Sequence, residues 1–194
     1  TLEYIALNQS LWVGTAANGI TIVTPQGVQQ LNASLGLLSN NVVKIVEQGA
    51  NILVATKAGL ASYYYLEGIN FPLLLHKYTT QTTPGLLADA IDAMELASTN
   101  YLYLSSAGGV NFVHLDSLDV DSAWHSFGDF PGGSGSQYKL AVRPGHLTVA
   151  GPLAVYTRSD DPWTGTWKTY RQADGLLLET ISSAALDGLG ALWV

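Results

Sequence analysis

The sequence contains no cysteine, and only 12% of its 194 residues are charged, against an average of about 25% for soluble domains. Without cysteine, the chain forms no disulfide, no thiolate metal site and no thiol nucleophile. A hydrophobic content of 47% excludes an intrinsically disordered segment. No apolar run reaches the roughly 18 residues that indicate a membrane-spanning helix. The composition therefore predicts a well-packed core and no membrane span in this segment.

An excess of positive charge is also missing. Eight Lys and Arg residues stand against fifteen Asp and Glu residues, which gives a formal net charge of −7. Proteins that bind nucleic acid usually carry a basic stripe that neutralises phosphates, and the sequence has none. We therefore expect no nucleic-acid partner. No segment reads as a capped amphipathic helix, because Val, Ile, Thr and Tyr dominate the short apolar runs, which favours β-strands.

The main feature that is present is an internal repeat. An apolar run followed by a glycine and an aliphatic residue occurs at 11–20, 52–60 and 102–110, with a weaker copy at 147–153 and the start of another at 192. The copies are offset by 41, 50, 45 and 45 residues. A repeat of this length, built from short strands and turn residues, is typical of the blades of a β-propeller.

Two further motifs recur in the same order within each repeat. A Gly-Leu-Leu motif precedes an apolar strand at 36–38, 85–87 and 175–177. Alternating large residues, which indicate a strand with one buried face, close the repeats at 28–31, 75–78, 124–127 and 167–170. For the second repeat the pattern predicts strands at 42–47, 52–56, 61–65 and 74–78. Residues 86–97, rich in Ala and Leu, occupy the position of a loop and an inner strand.

We therefore predict an all-β fold: a β-propeller fragment of about four four-stranded antiparallel blades plus the start of a fifth. The predicted blades span residues 1–35, 36–84, 85–130, 131–174 and 175–194 of a single partial propeller. The first repeat begins at its inner strand, and the last stops inside its second strand. We expect the chain to belong to a larger ring of about six to eight blades, so that the remaining blades of the parent chain are partners.

An aromatic residue occupies the same position of the second strand in three repeats, namely Trp12, Tyr103 and Trp193. We expect these side chains to fill the wedge between neighbouring blades, because aromatic rings bury a large area and their polar tips can find a hydrogen-bond partner. The glycine that follows each complete copy of this strand permits a positive φ in the turn.

The phrase Gly36-Leu37-Leu38-Ser39-Asn40-Asn41-Val42 and the segment from Trp167 to Val194 resemble the two-component regulator propeller repeat. The resemblance covers nearly the whole chain and is poorest in the fourth repeat, where Pro152 replaces the expected glycine. It implies a periplasmic or extracellular sensor region of a bacterial hybrid histidine kinase, with a small molecule or glycan, such as an oligosaccharide, as ligand.

Two other functions stay open on the sequence alone. One is a protein-interaction scaffold of a secreted or cell-surface protein, and the other is a propeller lyase or glycan-active enzyme. The four histidines are spread over three repeats without metal-ligand spacing, so we predict no metal, no cofactor and no catalytic constellation. An enzyme would need clustered His and Glu residues on the loop face, for which His146 and Glu179 are the best candidates.

A binding site in this fold is expected on the loops of one face of the ring, where turns lead into the inner strands or follow the second strands. Amides, hydroxyls and carboxylates beside an aromatic ring suit a neutral, hydroxyl-rich ligand such as a sugar. The predicted ligand-binding residues are Asn18, Ser39, Asn40, Asn41, Lys57, Asp89, Gln137, Tyr138 and Glu179. Asn40 and Asn41 also fit a purely structural role, closing a turn before the strand.

Overall fold

The computed structural model describes residues 1–6, 9–65, 71–128, 130, 137–176, 181, 184–187 and 191–193. These residues form four four-stranded antiparallel sheets and one two-stranded sheet, and each sheet keeps the order of its strands in the chain. The chain divides into two compact units, Thr1–Thr83 with Asp89–Ile91, and Pro84–Ala88 with Asp92–Val194. The predicted all-β fold of propeller blades is confirmed.

The first unit contains the first two sheets. Their strands are β1 (Leu2–Ile5), β2 (Ser10–Gly14), β3 (Ile20–Thr24) and β4 (Gly27–Leu31), then β5 (Val42–Gln48), β6 (Asn51–Thr56), β7 (Gly59–Tyr64) and β8 (Leu73–Tyr78). The strands predicted for the second repeat lie within two residues of β5 to β8. A bulge shifts the β5–β6 register between Val42 and Lys44.

The second unit contains the other sheets, apart from Ile91 at the start of β9. Their strands are β9 (Ile91–Leu96), β10 (Tyr101–Ser106), β11 (Gly109–His114) and β12 (His125–Phe127), then β13 (Lys139–Arg143), β14 (His146–Ala150), β15 (Val155–Arg158) and β16 (Lys168–Tyr170), and finally β17 (Ala185–Leu186) with β18 (Leu192–Trp193). The predicted inner strand within residues 86–97 is therefore present as β9. Within the described part of the chain, no helix has the length and hydrophobicity needed to cross a bilayer.

The middle strands of each complete blade are the most buried. In each of the strands β6, β7, β10 and β11 all residues but one are buried, whereas the inner strands β5 and β9 each have two buried residues and are otherwise half-buried. The inner strands are less covered because each is an edge strand of its own sheet, while the middle strands are hydrogen-bonded on both sides.

Two of the three predicted aromatic wedges, Trp12 and Tyr103, hold neighbouring sheets together within each unit, whereas Trp193 is 66% exposed. Trp12 is fully buried in a cluster that combines side chains of the first sheet with Ile52 and Val54 of the second. Its indole N–H donates to Ser10 Oγ at 2.9 Å. In the second unit, Tyr103 packs against Leu147 and Val149 of the fourth sheet. Its hydroxyl donates to the carbonyl of Asp160 at 2.7 Å, and burial raises the pKa of Tyr103 well above its usual range.

The fourth blade departs from the repeat at the turn between β14 and β15. The repeat placed Leu153 where the other blades bury an aliphatic residue, but Leu153 is 57% exposed. Val155 is the buried residue that pairs with Ala150 across this turn. Pro152 accounts for the shift, because it sits inside a turn closed by the Gly151 N–H and the Ala154 carbonyl, which delays the start of β15.

Asn111 is a buried polar residue that anchors the loop entering the third sheet. Its side-chain amide donates to the carbonyls of Gly85 at 2.8 Å and His125 at 3.2 Å, and its Oδ1 accepts from the Leu87 N–H at 2.9 Å. Nearly all of its hydrogen-bonding capacity is therefore used within the second unit. Asn111 lies on β11 and was not singled out by the repeat.

We predict that Asn111→Ala lowers the free energy of unfolding by about 2–3 kcal/mol, because three backbone groups lose their partners at once. The measurement is urea denaturation followed by far-ultraviolet circular dichroism. The matched control is Gln172→Ala, at an exposed residue of a 3₁₀ turn in the same unit, which should change stability by less than about 0.5 kcal/mol. Equal effects of the two substitutions would contradict the anchoring role of Asn111.

Candidate functional site

In the first unit, main-chain hydrogen bonds bring several predicted ligand-binding residues to one edge. The Gly19 N–H donates to the carbonyl of Asn40 at 3.0 Å, and the Lys57 N–H donates to the carbonyl of Asn41 at 3.1 Å. The turn holding Asn18, the segment 39–41 and the turn holding Lys57 are therefore neighbours. The side chain of Asn18 is exposed, and that of Lys57 is half-buried.

Part of this polar edge closes local turns. Asn40 Oδ1 accepts from the Ala33 N–H at 2.8 Å, and Ser39 Oγ accepts from the Asn41 N–H at 3.1 Å. Asp89 repeats the arrangement of Asn40, since its Oδ1 accepts from the Thr80 N–H. Both side chains thus fasten the connection between an outer strand and the next inner strand. These bonds use one acceptor of each side chain, and their remaining polar atoms are the ones that a ligand could contact.

The other predicted ligand-binding residues lie in the second unit or outside the described residues. Gln137 is exposed. Tyr138 is buried, its hydroxyl donates to the carbonyl of Phe130 at 3.1 Å, and its own carbonyl accepts from Ser105 Oγ at 2.6 Å. The ring of Tyr138 is thus part of the core. Glu179 lies outside the described residues.

A cleft in the second unit has a volume of about 690 Å³ and lies between the fourth sheet and Leu186 of β17. Its wall includes Thr148, at the repeat position that Trp12 and Tyr103 occupy in other blades. Tyr170, whose strand was predicted to bury one face, lines the same cleft and is 43% exposed. The cleft therefore corresponds to an inter-blade wedge in which a threonine replaces the aromatic side chain.

His146, a candidate for an enzymatic role, lines this wedge as well. Among the residues that the structure describes, no three His, Cys, Asp or Glu side chains lie close enough to hold a metal ion. The charged residues that line this cleft are Lys168, Arg158 and Asp174. Its chemistry is that of a mixed polar surface between two sheets.

Another cleft of this unit, which we call the aromatic cleft, has a volume of about 430 Å³ and lies between the outer strands of the third and fourth sheets. Small-molecule sites in proteins occupy about 300–1,000 Å³. The residues that line the aromatic cleft are Ser126, Phe127, Gly128, Phe130, Tyr156, Trp167, Thr169 and Arg171. Four aromatic rings thus form its walls, and hydroxyls and a single guanidinium supply its polar groups.

The rings of the aromatic cleft hold one another in fixed orientations. Trp167 stands edge-on to Phe127 at 5.3 Å and to Phe130 at 5.1 Å between ring centroids. Tyr156 lies 4.9 Å from Phe130. Edge-to-face contacts at these distances are favourable arrangements for aromatic pairs. The cleft is therefore bounded by an interlocked set of rings.

Arg158 fixes the loop that leads to Trp167. Its guanidinium carbon lies 4.6 Å from the Phe127 ring centroid and 5.1 Å from that of Trp167. The same guanidinium donates to the carbonyls of Pro162 at 2.8 Å and Thr164 at 2.7 Å. Burial lowers the pKa of Arg158 from its usual value, yet arginine keeps its charge under all ordinary conditions. Cation–π contacts and loop carbonyls together hold Trp167 in place.

Tyr156 carries a hydroxyl that has no hydrogen-bond partner among the described residues, although the residue is only 4% exposed. Burial is the main cause that raises the pKa of Tyr156, and the charge of Arg171 acts in the opposite direction. A buried hydroxyl without a partner costs free energy. The wall of the aromatic cleft thus contains a polar group that lacks a partner.

The sequence did not identify the aromatic cleft as a site. Phe127 and Trp167 were recognised only as large residues of outer strands, and Tyr156 and Arg171 carried no motif. A signal was nevertheless present, because aromatic residues are concentrated in the outer-strand segments of the third and fourth repeats. That concentration identifies a site only when the two strands are known to be neighbours.

No protein-family model matches the sequence, and no curated protein matches it either. Solved structures do share its fold. An extracellular domain assigned to the hybrid two component system BT3049 from B. thetaiotaomicron superposes with a TM-score of 0.73 at 17% identity, over 99% of this chain and 25% of that chain. An extracellular domain assigned to the one component system BT4673 of the same organism gives a TM-score of 0.69 at 19% identity, over 99% of this chain and 24% of that chain.

Structural similarity extends to proteins of other kinds. U3-55K superposes with a TM-score of 0.59 at 11% identity, over 88% of this chain and 50% of that chain. The chain spans about a quarter of the length of the BT3049 and BT4673 domains. At these identities the similarity establishes a shared fold, and it does not by itself assign a function.

Proposed function

We propose that this chain is a ligand-binding part of the extracytoplasmic sensor region of a bacterial two-component regulator of the hybrid histidine kinase type. The observation that carries the proposal is the match of 99% of the chain to the extracellular domains of BT3049 and BT4673, together with a repeat that resembles the two-component regulator propeller. The proposed location is periplasmic or extracellular, and no catalytic role is proposed.

The proposed ligand is an oligosaccharide. Asn18, segment 39–41 and Lys57 share one edge of the first unit, where amide, hydroxyl and ammonium groups can hydrogen-bond to sugar hydroxyls. Asp89, Gln137, Tyr138 and Glu179 remain proposed contacts as well. Asn18 is the most direct of these contacts to test, because its side chain is exposed, while its backbone N–H donates to Thr15 Oγ1 at 2.9 Å.

The first sheet has an exposed apolar face that supports a second part of the proposal. Tyr4, Leu11, Val23 and Val28 are paired in register across β1 to β4, and all four are exposed. A contiguous apolar row of this kind is typical of a surface covered by another part of the protein. We propose that other blades of the parent chain cover it.

Binding of a panel of hexasaccharides tests the proposed function. The panel contains hexamers of glucose, xylose, mannose, galactose, glucuronic acid and galacturonic acid, with an uncharged hexapeptide as control, and it is read by isothermal titration calorimetry and thermal unfolding. We expect at least one glycan to bind and to raise the melting temperature, since a ligand at a hundred times its Kd adds about 2.7 kcal/mol of stability. Asn18→Ala should weaken that binding.

The sensor role is tested separately, by the transcriptional response of cells to the glycan. In cells that carry the full parent protein, in-frame removal of this chain should abolish the transcriptional response to the glycan that binds. A transcriptional response that survives the removal would overturn the sensor role. Failure of every hexasaccharide to bind would instead favour the interaction scaffold, whose surface requires no glycan.

A further inference from the structure

The aromatic cleft differs in its lining groups from the polar edge of the first unit. It combines Trp167, Phe127 and Phe130 with one arginine, and no Asp or Glu lines it among the described residues. We propose that it is a binding subsite for an acidic sugar, a uronic acid residue of an oligosaccharide. The inference rests on the proposed glycan-binding function and adds a second, separate site with a charge preference.

The aromatic walls suit a pyranose ring. One face of a pyranose presents C–H groups, which form an apolar surface that packs on an aromatic ring, while its hydroxyls stay at the edges. Trp167 is only partly buried, so part of its ring remains accessible in the cleft. The contacts of Trp167 with Phe127, Phe130 and Arg158 fix its orientation before any ligand arrives. A preformed wall reduces the ordering cost of binding.

Arg171 supplies the preference for a carboxylate. It is exposed at the cleft, and it is the one charged side chain among the described lining residues. The carboxylate of Asp174 accepts from the backbone N–H of Arg171 at 2.9 Å. A guanidinium pairs with a carboxylate through two parallel hydrogen bonds, a geometry that a neutral sugar hydroxyl cannot reproduce.

Tyr156 provides an independent observation that points to a ligand. Its hydroxyl is buried in the cleft wall without a partner among the described residues, while Ser126 and Thr169 add further hydroxyls at the rim. A sugar hydroxyl or ring oxygen would give the Tyr156 hydroxyl the partner that it lacks. A small shift of the ring toward the cleft on binding would complete this bond.

The test uses the hexamers of glucuronic and galacturonic acid together with their methyl esters, which keep the sugar and remove the charge. We expect one acid to bind about tenfold or more tightly than its ester, the difference that one added charge-assisted pair provides. Arg171→Gln should bring the two affinities together, and raised salt should do the same. Equal affinities of acid and ester for the unmodified chain would overturn the charge preference.

Two further variants locate the site. Trp167→Ala should abolish binding of the acid, whereas Trp193→Ala should leave it unchanged, because Trp193 is 66% exposed and does not line the cleft. Tyr156→Phe should weaken binding several-fold without lowering the melting temperature, since the lost hydroxyl has no partner among the described residues of the unliganded chain. A lowered melting temperature in Tyr156→Phe, or unchanged acid binding in Arg171→Gln, would contradict the subsite even if Trp167→Ala fails to fold.

The outcomes separate this inference from the proposed function. A neutral hexasaccharide that binds independently of Trp167 and Arg171 would overturn the subsite and leave the proposed function standing. An acid that binds at the cleft without any transcriptional response would support the subsite and overturn the sensor role.

Discussion

Replacing Trp12 by alanine should lower the free energy of unfolding of the first unit by about 3–5 kcal/mol, the usual cost of removing a large buried aromatic side chain. Trp12 is fully buried in the cluster that joins the first and second sheets. Its removal leaves a cavity between sheets that cannot collapse easily, because strands β1 to β8 are fixed by their ladders. It also deprives Ser10 Oγ of the indole donor at 2.9 Å.

The matched control for this prediction is Leu11→Ala. Leu11 precedes Trp12 on β2, points to the opposite face of the sheet and is 39% exposed. Its replacement should cost about 1 kcal/mol or less. Urea denaturation followed by far-ultraviolet circular dichroism measures both variants, because that signal does not depend on the indole that is removed. If Trp12→Ala is as stable as Leu11→Ala, Trp12 does not act as the wedge.

Gly109→Ala should destabilise the second unit by about 3–4 kcal/mol, because backbone strain and steric overlap add. Gly109 adopts a φ of 127° in the turn between β10 and β11, and a Cβ atom there would lie 2.4 Å from the carbonyl oxygen of Phe127. That oxygen belongs to β12, the adjacent outer strand, so relief of the overlap would displace the end of the sheet.

Gly145→Ala separates the two contributions. Gly145 has a φ of 80° in the turn between β13 and β14, but a Cβ atom there would meet nothing within 4 Å. Its replacement should cost only the strain of a positive φ, about 1 kcal/mol. Thermal and urea unfolding of both variants provide the comparison. Equal losses at the two positions would show that the close approach to Phe127 contributes nothing.

The same turn geometry recurs in the first unit. A Cβ atom on Gly59 would lie 2.6 Å from the carbonyl oxygen of Tyr78, and one on Gly19 would lie 2.4 Å from that of Leu31. Both glycines have positive φ. The sequence predicted the positive φ from the repeated glycine, but not the close approach. The approach arises because the last residue of the outer strand pairs with the residue that follows each glycine, Leu31 with Ile20 and Tyr78 with Leu60.

Strand positions could be predicted from the sequence because their signal is local. The apolar runs and turn residues of the second repeat place β5 to β8 within two residues, and the repeat assigns β9 to a segment that is otherwise ambiguous. The local rule fails at Leu153, where Pro152 alters the turn and shifts the buried position to Val155. A single proline is enough to change the register of the pattern.

Functional residues were harder to predict, because polar residues in turns have structural uses that the sequence does not distinguish. Asn40 and Asp89 were selected as ligand-binding residues, and both fasten a loop through a backbone N–H. Tyr138 was selected for its aromatic ring, and that ring is in the core. The binding roles of these residues remain predictions, to be tested with the hexasaccharide panel.

The sequence by itself determined the all-β fold, the repeat, the strand positions of the second blade and the aromatic wedges at Trp12 and Tyr103, since each of these follows from residue type and from the spacing of the repeat. Only the tertiary structure decided that Phe127 and Phe130 meet Tyr156 and Trp167 in one cleft, and that Asn111 holds the loop at 85–87. Both depend on contacts between strands that are distant in sequence. Such contacts are set by the way sheets pack, which no local pattern encodes.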